Sequence, residues 1–198
     1  MKFAFDVDDV LRDTLGKMRS TYEKFFIEDY VQEEGEENFE YGIQEPIDTF
    51  QFENHFKFPS NEEFINFLYF DFPMNIYGHA PSVSSNTFNV LMDIQKNVIK
   101  KRDKISFISK SIAKQKPATL FFLSKYGAEA DQILFYNKKN QKNMWSSFDV
   151  IITANPELLS IKPKNKIAIK YETTYNDKLE CEYTIKSLED FTSIYKKL

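Results

Sequence analysis

Lys2-Phe3-Ala4-Phe5-Asp6-Val7-Asp8-Asp9-Val10-Leu11 opens the chain of 198 residues with a short apolar run that ends in two carboxylates spaced two apart. A buried strand delivers its last residues to the rim of a sheet, where open α/β folds place their chemistry. At a strand period of two, Asp6 and Asp8 lie near one another on the same side. Neither suits a core, because an unpaired buried carboxylate is costly. The pair therefore suits a metal site, or a nucleophile with an acid partner. Capping of the following helix explains the spacing equally well.

Downstream of this strand the pattern becomes helical. Asp13 or Thr14 precedes an apolar stripe of Leu15, Met18, Tyr22, Phe25 and Phe26, which predicts a helix to about Tyr30. Residues 33–40 form a charged, Gly-containing loop. Ser60 with Glu63 three residues on is a capping box, so a helix runs from there to about Tyr69. Asp71-Phe72-Pro73 ends it, and Tyr77-Gly78-His79-Ala80-Pro81 is a turn-rich exit. Residues 12–80 are thus expected to be an inserted cap of helices and loops, with residues 1–11 and 81–198 forming the core. Twelve Phe and Tyr crowd residues 39–77. They suit a small core of the cap itself, or an apolar patch awaiting a partner.

Beyond a helix over roughly 84–99, the rhythm turns to regular α/β alternation. Strands are expected at 104–108, 132–136, 150–152 and 166–169. Helices are expected at 116–126, stopped by Gly127, after Asn155-Pro156 with Pro in the first position, and at 187–195. The fold class is therefore α/β, a Rossmann-like parallel sheet flanked by helices with a small helical cap after the first strand.

Composition bounds the function. The single Cys, Cys181, rules out an internal disulfide framework. No apolar run is long enough for a membrane span, and the N-terminus lacks a signal-peptide pattern. Localisation is expected to be cytoplasmic. The net charge of −4 hides an asymmetry. Residues 21–80 hold fourteen acids against Lys24 and Lys57, whereas residues 96–198 hold twenty Lys and Arg against eleven acids. Two such surfaces suit self-association or protein partners, although plain solvation accounts for them too. Without interleaved basic and aromatic residues, nucleic acid is not an expected partner. His55 and His79 have no companions at metal-ligand spacing.

Asp6-Val7-Asp8-Asp9-Val10 after an apolar strand resembles motif I of the haloacid dehalogenase (HAD) superfamily. The resemblance implies a HAD-like fold in which Asp6 is the nucleophile and Asp8 the general acid/base. It also implies Mg²⁺ as cofactor, on the Asp6 carboxylate and the Asp8 backbone carbonyl. Ser109, ending Ile105-Ser106-Phe107-Ile108-Ser109, takes the place of motif II and, with Lys110, would bind phosphate. Lys138, Lys139 and Lys142 follow the Phe135-Tyr136 strand end, where a motif III lysine is expected; Lys138 and Lys142 are the candidates for the catalytic set. Lys116-Pro117-Ala118-Thr119-Leu120 and Thr174-Tyr175-Asn176 resemble the 5′(3′)-deoxyribonucleotidase branch, which implies a phosphate or nucleotide ligand.

The pattern breaks at motif IV. Phe148-Asp149-Val150-Ile151-Ile152-Thr153-Ala154-Asn155-Pro156 matches the frame, but Thr153 and Ala154 stand where acids are expected. Asp149 sits at the wrong end of the strand. Asn155 is the remaining candidate metal ligand, with Glu157 just beyond it. Mg²⁺ demands near-octahedral oxygen geometry and dehydrates reluctantly, so losing its acids weakens both binding and rate.

Phe5 to Arg12, Tyr77-Gly78-His79-Ala80 and the Lys, Asn and Phe content are also similar to HAD-like, virion-associated proteins of crAss-like tailed phages. That resemblance implies a virion location. Two expectations follow: an impaired HAD protein acting through its surfaces, or a Mg²⁺-dependent phosphomonoesterase of nucleotidase type. A non-catalytic phosphate or nucleotide sensor is the third.

Overall fold

The computed structural model describes residues 1–28, 39–110 and 112–198, with the side chains of residues 99 and 100 excluded. The charged loop expected at 33–40 and the helix end expected near Tyr30 fall mainly outside them.

Six parallel strands form one sheet: β1 (Lys2–Asp6), β2 (Lys104–Lys110), β3 (Gln132–Tyr136), β4 (Val150–Thr153), β5 (Ile167–Tyr171) and β6 (Tyr183–Ile185). Their spatial order is β3-β2-β1-β4-β5-β6. The chain builds outward from β1 to β3, then returns to the other side of β1. That reversal opens a crevice at the carboxyl ends of the central strands, where Asp6 emerges.

Strand alternation sends β1 side chains to two different cores. Phe3 and Phe5 pack with Phe107, Val150, Ile152 and Phe191, while Ala4 packs on the opposite face with Ile108, Ile151, Trp145 and Leu158. Both faces are apolar, as a sheet covered by helices requires. The first face is covered by α3 (Thr87–Lys100), α4 (Gln115–Lys125) and α7 (Leu188–Tyr195), the second by α5 (Gln141–Ser147) and α6 (Pro156–Ser160). Asp6 follows the parity of Ala4, and Thr153 that of Ile151, so both side chains emerge on the α5 and α6 side.

Between β1 and β2 lie α1 (Thr14–Tyr22) and α2 (Asn61–Asn66), with π-helical turns at Glu23–Glu28, Phe67–Asp71 and Met74–Gly78. The expected first and second helices thus stop being regular earlier than the apolar stripe suggests, and the turn-rich exit is itself helical. The Ser60 side chain does accept from the Glu63 N–H at the start of α2. Aromatics of this region form a third core with Met18, Tyr22, Phe56, Phe64, Phe67 and Tyr77 buried. Tyr22 packs against Phe26, Tyr41, Phe56, Phe58 and Phe67. Its hydroxyl donates to Lys57 O and accepts from the Gly42 N–H. These rings therefore form a core, although Phe70 stays exposed.

Two elements are additions to the expected set. The Lys- and Asn-rich segment after β3 forms α5, which turns Met144 and Trp145 inward. β6 extends the sheet by three residues beside β5. Among the described residues, no helix is long and apolar enough to cross a membrane.

Candidate functional site

The site is assembled at the ends of β1, β2, β3 and β4. Asp6 is 1 % exposed. Its Oδ2 accepts from Thr153 Oγ1 at 2.6 Å and from the Tyr136 hydroxyl at 3.3 Å. Thr153 in turn accepts from the Asn155 N–H at 3.0 Å, so its hydroxyl is held from both sides. Asp6 Oδ1 is buried without a hydrogen-bond partner. Burial, and then the charge of Asp8, push the Asp6 carboxyl up to about 7, against the opposing pull of Thr153, Lys110 and Tyr136.

Asp8 lies two residues beyond Asp6, past the end of β1, and is held differently. Its Oδ1 accepts from Arg12 Nη2 at 2.5 Å and from Thr14 Oγ1 at 2.9 Å, and its Oδ2 accepts from Ser109 Oγ at 3.0 Å. Burial would raise its carboxyl, but the Arg12 guanidinium and these donors outweigh that and hold it below the usual carboxylate range. A general acid must carry a proton near working pH, and this environment favours the charged form.

Arg12 is wholly buried. Besides Asp8, it donates to Tyr77 O at 2.7 Å, Thr119 Oγ1 at 3.1 Å and Thr14 Oγ1 at 3.2 Å. Its guanidinium also lies over the Tyr77 and Phe122 rings, 5.1 and 5.3 Å from their centroids. One planar cation thereby ties the motif loop to the inserted segment and to α4, a geometry that suits Arg and not Lys.

Asp9 serves the local fold. At φ 55° it occupies the left-handed region, which places its Oδ1 to accept from the N–H groups of Thr14 and Leu15, both at 2.9 Å. Its Oδ2 accepts from the Tyr175 hydroxyl at 2.7 Å. Burial pushes this carboxyl up to about 6.

A cleft of about 790 Å³ opens between this constellation and the inserted segment. Asp6, Asp8, Lys110, Lys138 and Asn155 line it. Lys110 ends β2, two residues beyond the expected strand end; its charge acts on Asp6 and its Nζ sits 4.4 Å from the Phe50 centroid. Lys138 is exposed at the rim, and Lys142 is exposed on α5 and does not line the cleft. Ser109 is buried with its hydroxyl turned to Asp8. Asn155 caps α6 by accepting from the Glu157 N–H at 2.9 Å, and its amide donates to the Tyr136 hydroxyl at 3.1 Å. Asp149 lies at the opposite end of β4, bound to the Lys2 N–H and Lys166.

These donors do not suit a Mg²⁺ ion. Thr153 puts a hydroxyl proton on Asp6 Oδ2, which leaves Oδ1 as the one oxygen of that carboxyl without a donor, and no acid stands at 153 or 154 to share a cation with it. The Ala154 carbonyl accepts from Asn176 Nδ2 at 2.8 Å. Among the described residues, no group of three or more His, Cys, Asp or Glu is placed to hold a metal ion.

The six-stranded parallel sheet with a helical insertion after β1 has a counterpart among solved structures. A haloacid dehalogenase-like hydrolase from Burkholderia xenovorans LB400 matches with a TM-score of 0.58 over 99% of this chain and 96% of that one, at 11% identity. The fold is HAD-like. No protein-family model matches the chain, and neither does any curated protein. At this identity the likeness speaks for the HAD-like architecture alone.

Sequence reading located Asp6 and Asp8 but assigned no role to Arg12 or Tyr136. The i,i+4 spacing of Asp8 and Arg12 was the available signal for the first of these. For Tyr136, its place at the end of β3, beside the lysines weighed for motif III, was the only hint.

Proposed function

We propose that this chain is a HAD-fold protein with an impaired hydrolytic site, which acts by binding and through its surfaces as an interaction or structural component. The observation that carries this reading is the Thr153 hydroxyl on Asp6 Oδ2, in place of a motif IV acid and the cation it would share. The Asp8–Arg12 ion pair supports it, since it removes the proton a general acid would need. The acidic 21–80 segment and the basic 96–198 segment suit self-association or protein partners of opposite charge. A virion role agrees with the sequence resemblance to phage HAD-like proteins, and a cytoplasmic one is the alternative.

A second reading, a Mg²⁺-dependent phosphomonoesterase of nucleotidase type, is favoured by one observation: Asp6 lines the cleft and its Oδ1 has no hydrogen-bond partner. Phosphatase assays with Mg²⁺ on nucleoside monophosphates separate the two. No turnover by the wild type, with turnover gained in Thr153→Asp, is the expected result. Wild-type turnover that Asp6→Asn abolishes would overturn the impaired reading.

A further inference from the structure

Exposed apolar side chains gather where the inserted segment packs on α4. Phe70 and Met74, on the last two π-helical turns of the insertion, are 45 % and 38 % exposed. Leu120 and Phe121 of α4 are 41 % and 42 % exposed. Gly78 shows that the two elements meet here. A Cβ on it would lie 2.9 Å from Met74 Cε and 3.3 Å from Phe121 Cδ1, so both side chains close over the same glycine. The His79 ring meets Phe121 edge-on, with centroids 5.1 Å apart. Phe70 joins at the start of α4, where Lys114 Nζ donates to its carbonyl at 2.9 Å. Pro117, Leu120 and Phe121 share the outer face of the helix at i, i+3 and i+4, and all three are exposed. Single exposed apolar residues are ordinary, whereas a contiguous group rimmed by polar residues marks an interaction surface.

The two elements that form this seam carry charges of opposite sign. Residues 61–80 hold Glu62, Glu63 and Asp71 with no Lys or Arg. Residues 110–127 hold Lys110, Lys114, Lys116 and Lys125 with no Asp or Glu. All of these except Lys110 are exposed. A partner of a single sign would be repelled by one of the two flanks. A second copy, turned about a two-fold axis that runs along the seam, meets both demands. It sets apolar surface on apolar surface, and the acidic flank of each copy on the basic flank of the other.

We propose that this chain forms an isologous homodimer through the seam of Phe70, Met74, Leu120 and Phe121. This rests on the reading that the chain acts through its surfaces, and names the surface and the partner. A stable interface buries about 800 Å² on each partner, with an apolar centre and a polar rim. The four side chains form that centre, and the acidic and basic flanks form the rim.

Sedimentation velocity on the full chain, from micromolar to millimolar concentration, tests it. The expected result is a reversible dimer whose dissociation constant rises about tenfold or more in Phe121→Ser, as for the loss of a central aromatic anchor. Met74→Ser gives the same direction should the first variant fail to fold. Charge reversal reads the two-fold arrangement. Glu62→Lys, Glu63→Lys and Asp71→Lys together make both flanks basic, and Lys114→Glu, Lys116→Glu and Lys125→Glu together make both acidic. Each triple variant alone should dissociate at low salt, and the two mixed in equal amounts should pair. A monomer throughout the range would assign the seam to another protein and overturn the proposal. A dimer unmoved by both apolar variants, or triple variants that fail to pair on mixing, would overturn it as well. A monomer leaves the impaired site standing, whereas wild-type turnover in Mg²⁺ overturns that reading and leaves the sedimentation data legible.

Discussion

Thr153 donates its hydroxyl proton to Asp6 Oδ2 at 2.6 Å while accepting from the Asn155 N–H at 3.0 Å. The contact joins the ends of β1 and β4 and fixes one oxygen of the central carboxyl. A buried carboxyl needs donors, and Thr153 with Tyr136 supplies them.

Replacing Thr153 by Val removes a donor from Asp6 and an acceptor from Asn155 while keeping the shape. Leaving a buried group short of its partner costs about 1–3 kcal/mol. Urea unfolding of Thr153→Val should show a loss of that order, with Thr153→Ser close to wild type. Equal stability of Val and wild type would mean the hydroxyl contributes nothing to holding Asp6.

The Asp6 carboxyl titrates near 7 in the folded chain against 3.8 for the free group. Between those values the folded state holds a proton that the unfolded state releases, so this group's contribution to stability falls as pH rises from about 4 to about 7. Asp6→Asn keeps a neutral side chain throughout. Its melting temperature relative to wild type should therefore climb across that window, by ~2–4 °C for each kcal/mol relieved in a chain of this size. A difference that stays flat from pH 4 to 8 would contradict a raised Asp6.

Arg12 has no exposed surface, and four acceptors surround it. Removing one partner of a buried ion pair costs about 3–5 kcal/mol, because the other charge stays behind. Arg12→Met should lose stability of that order in calorimetry or urea melts. Arg12→Lys should recover little, since an ammonium cannot span Asp8, Thr14, Tyr77 and Thr119 together. Full rescue by Lys would reduce Arg12 to a simple counter-charge.

The contrast between Arg12 and Asp6 shows which parts of the molecule its sequence discloses. β1 and its acids were legible because an apolar run and a charged end are local signals. The α/β alternation after residue 104 was legible for the same reason. Arg12 was not, since its partners Tyr77 and Thr119 lie 65 and 107 residues away and meet it only through packing. α5 was hidden because only Met144 and Trp145 of its seven residues are buried. β6 was hidden because three residues are too few for an alternation to register. The π-helical turns escaped for another reason: the apolar stripe runs on through Phe67 and Leu68 while the backbone widens beneath it.

Lys170 is 3 % exposed, and its ammonium donates to the carbonyls of Asn176, Asp177 and Leu179. It thereby shapes the loop after β5, from which Tyr175 reaches Asp9 and Asn176 reaches the Ala154 carbonyl. A charged donor contributes about 1.5–3 kcal/mol per hydrogen bond, and losing it leaves three carbonyls short. Desolvating the charge opposes this, so the net loss on Lys170→Met should be about 2 kcal/mol. Hydrogen exchange should accelerate over residues 172–179 before the sheet is affected, because that loop loses its anchor first. A uniform rise in exchange across all strands would instead make Lys170 part of the global core, with no particular hold on the loop.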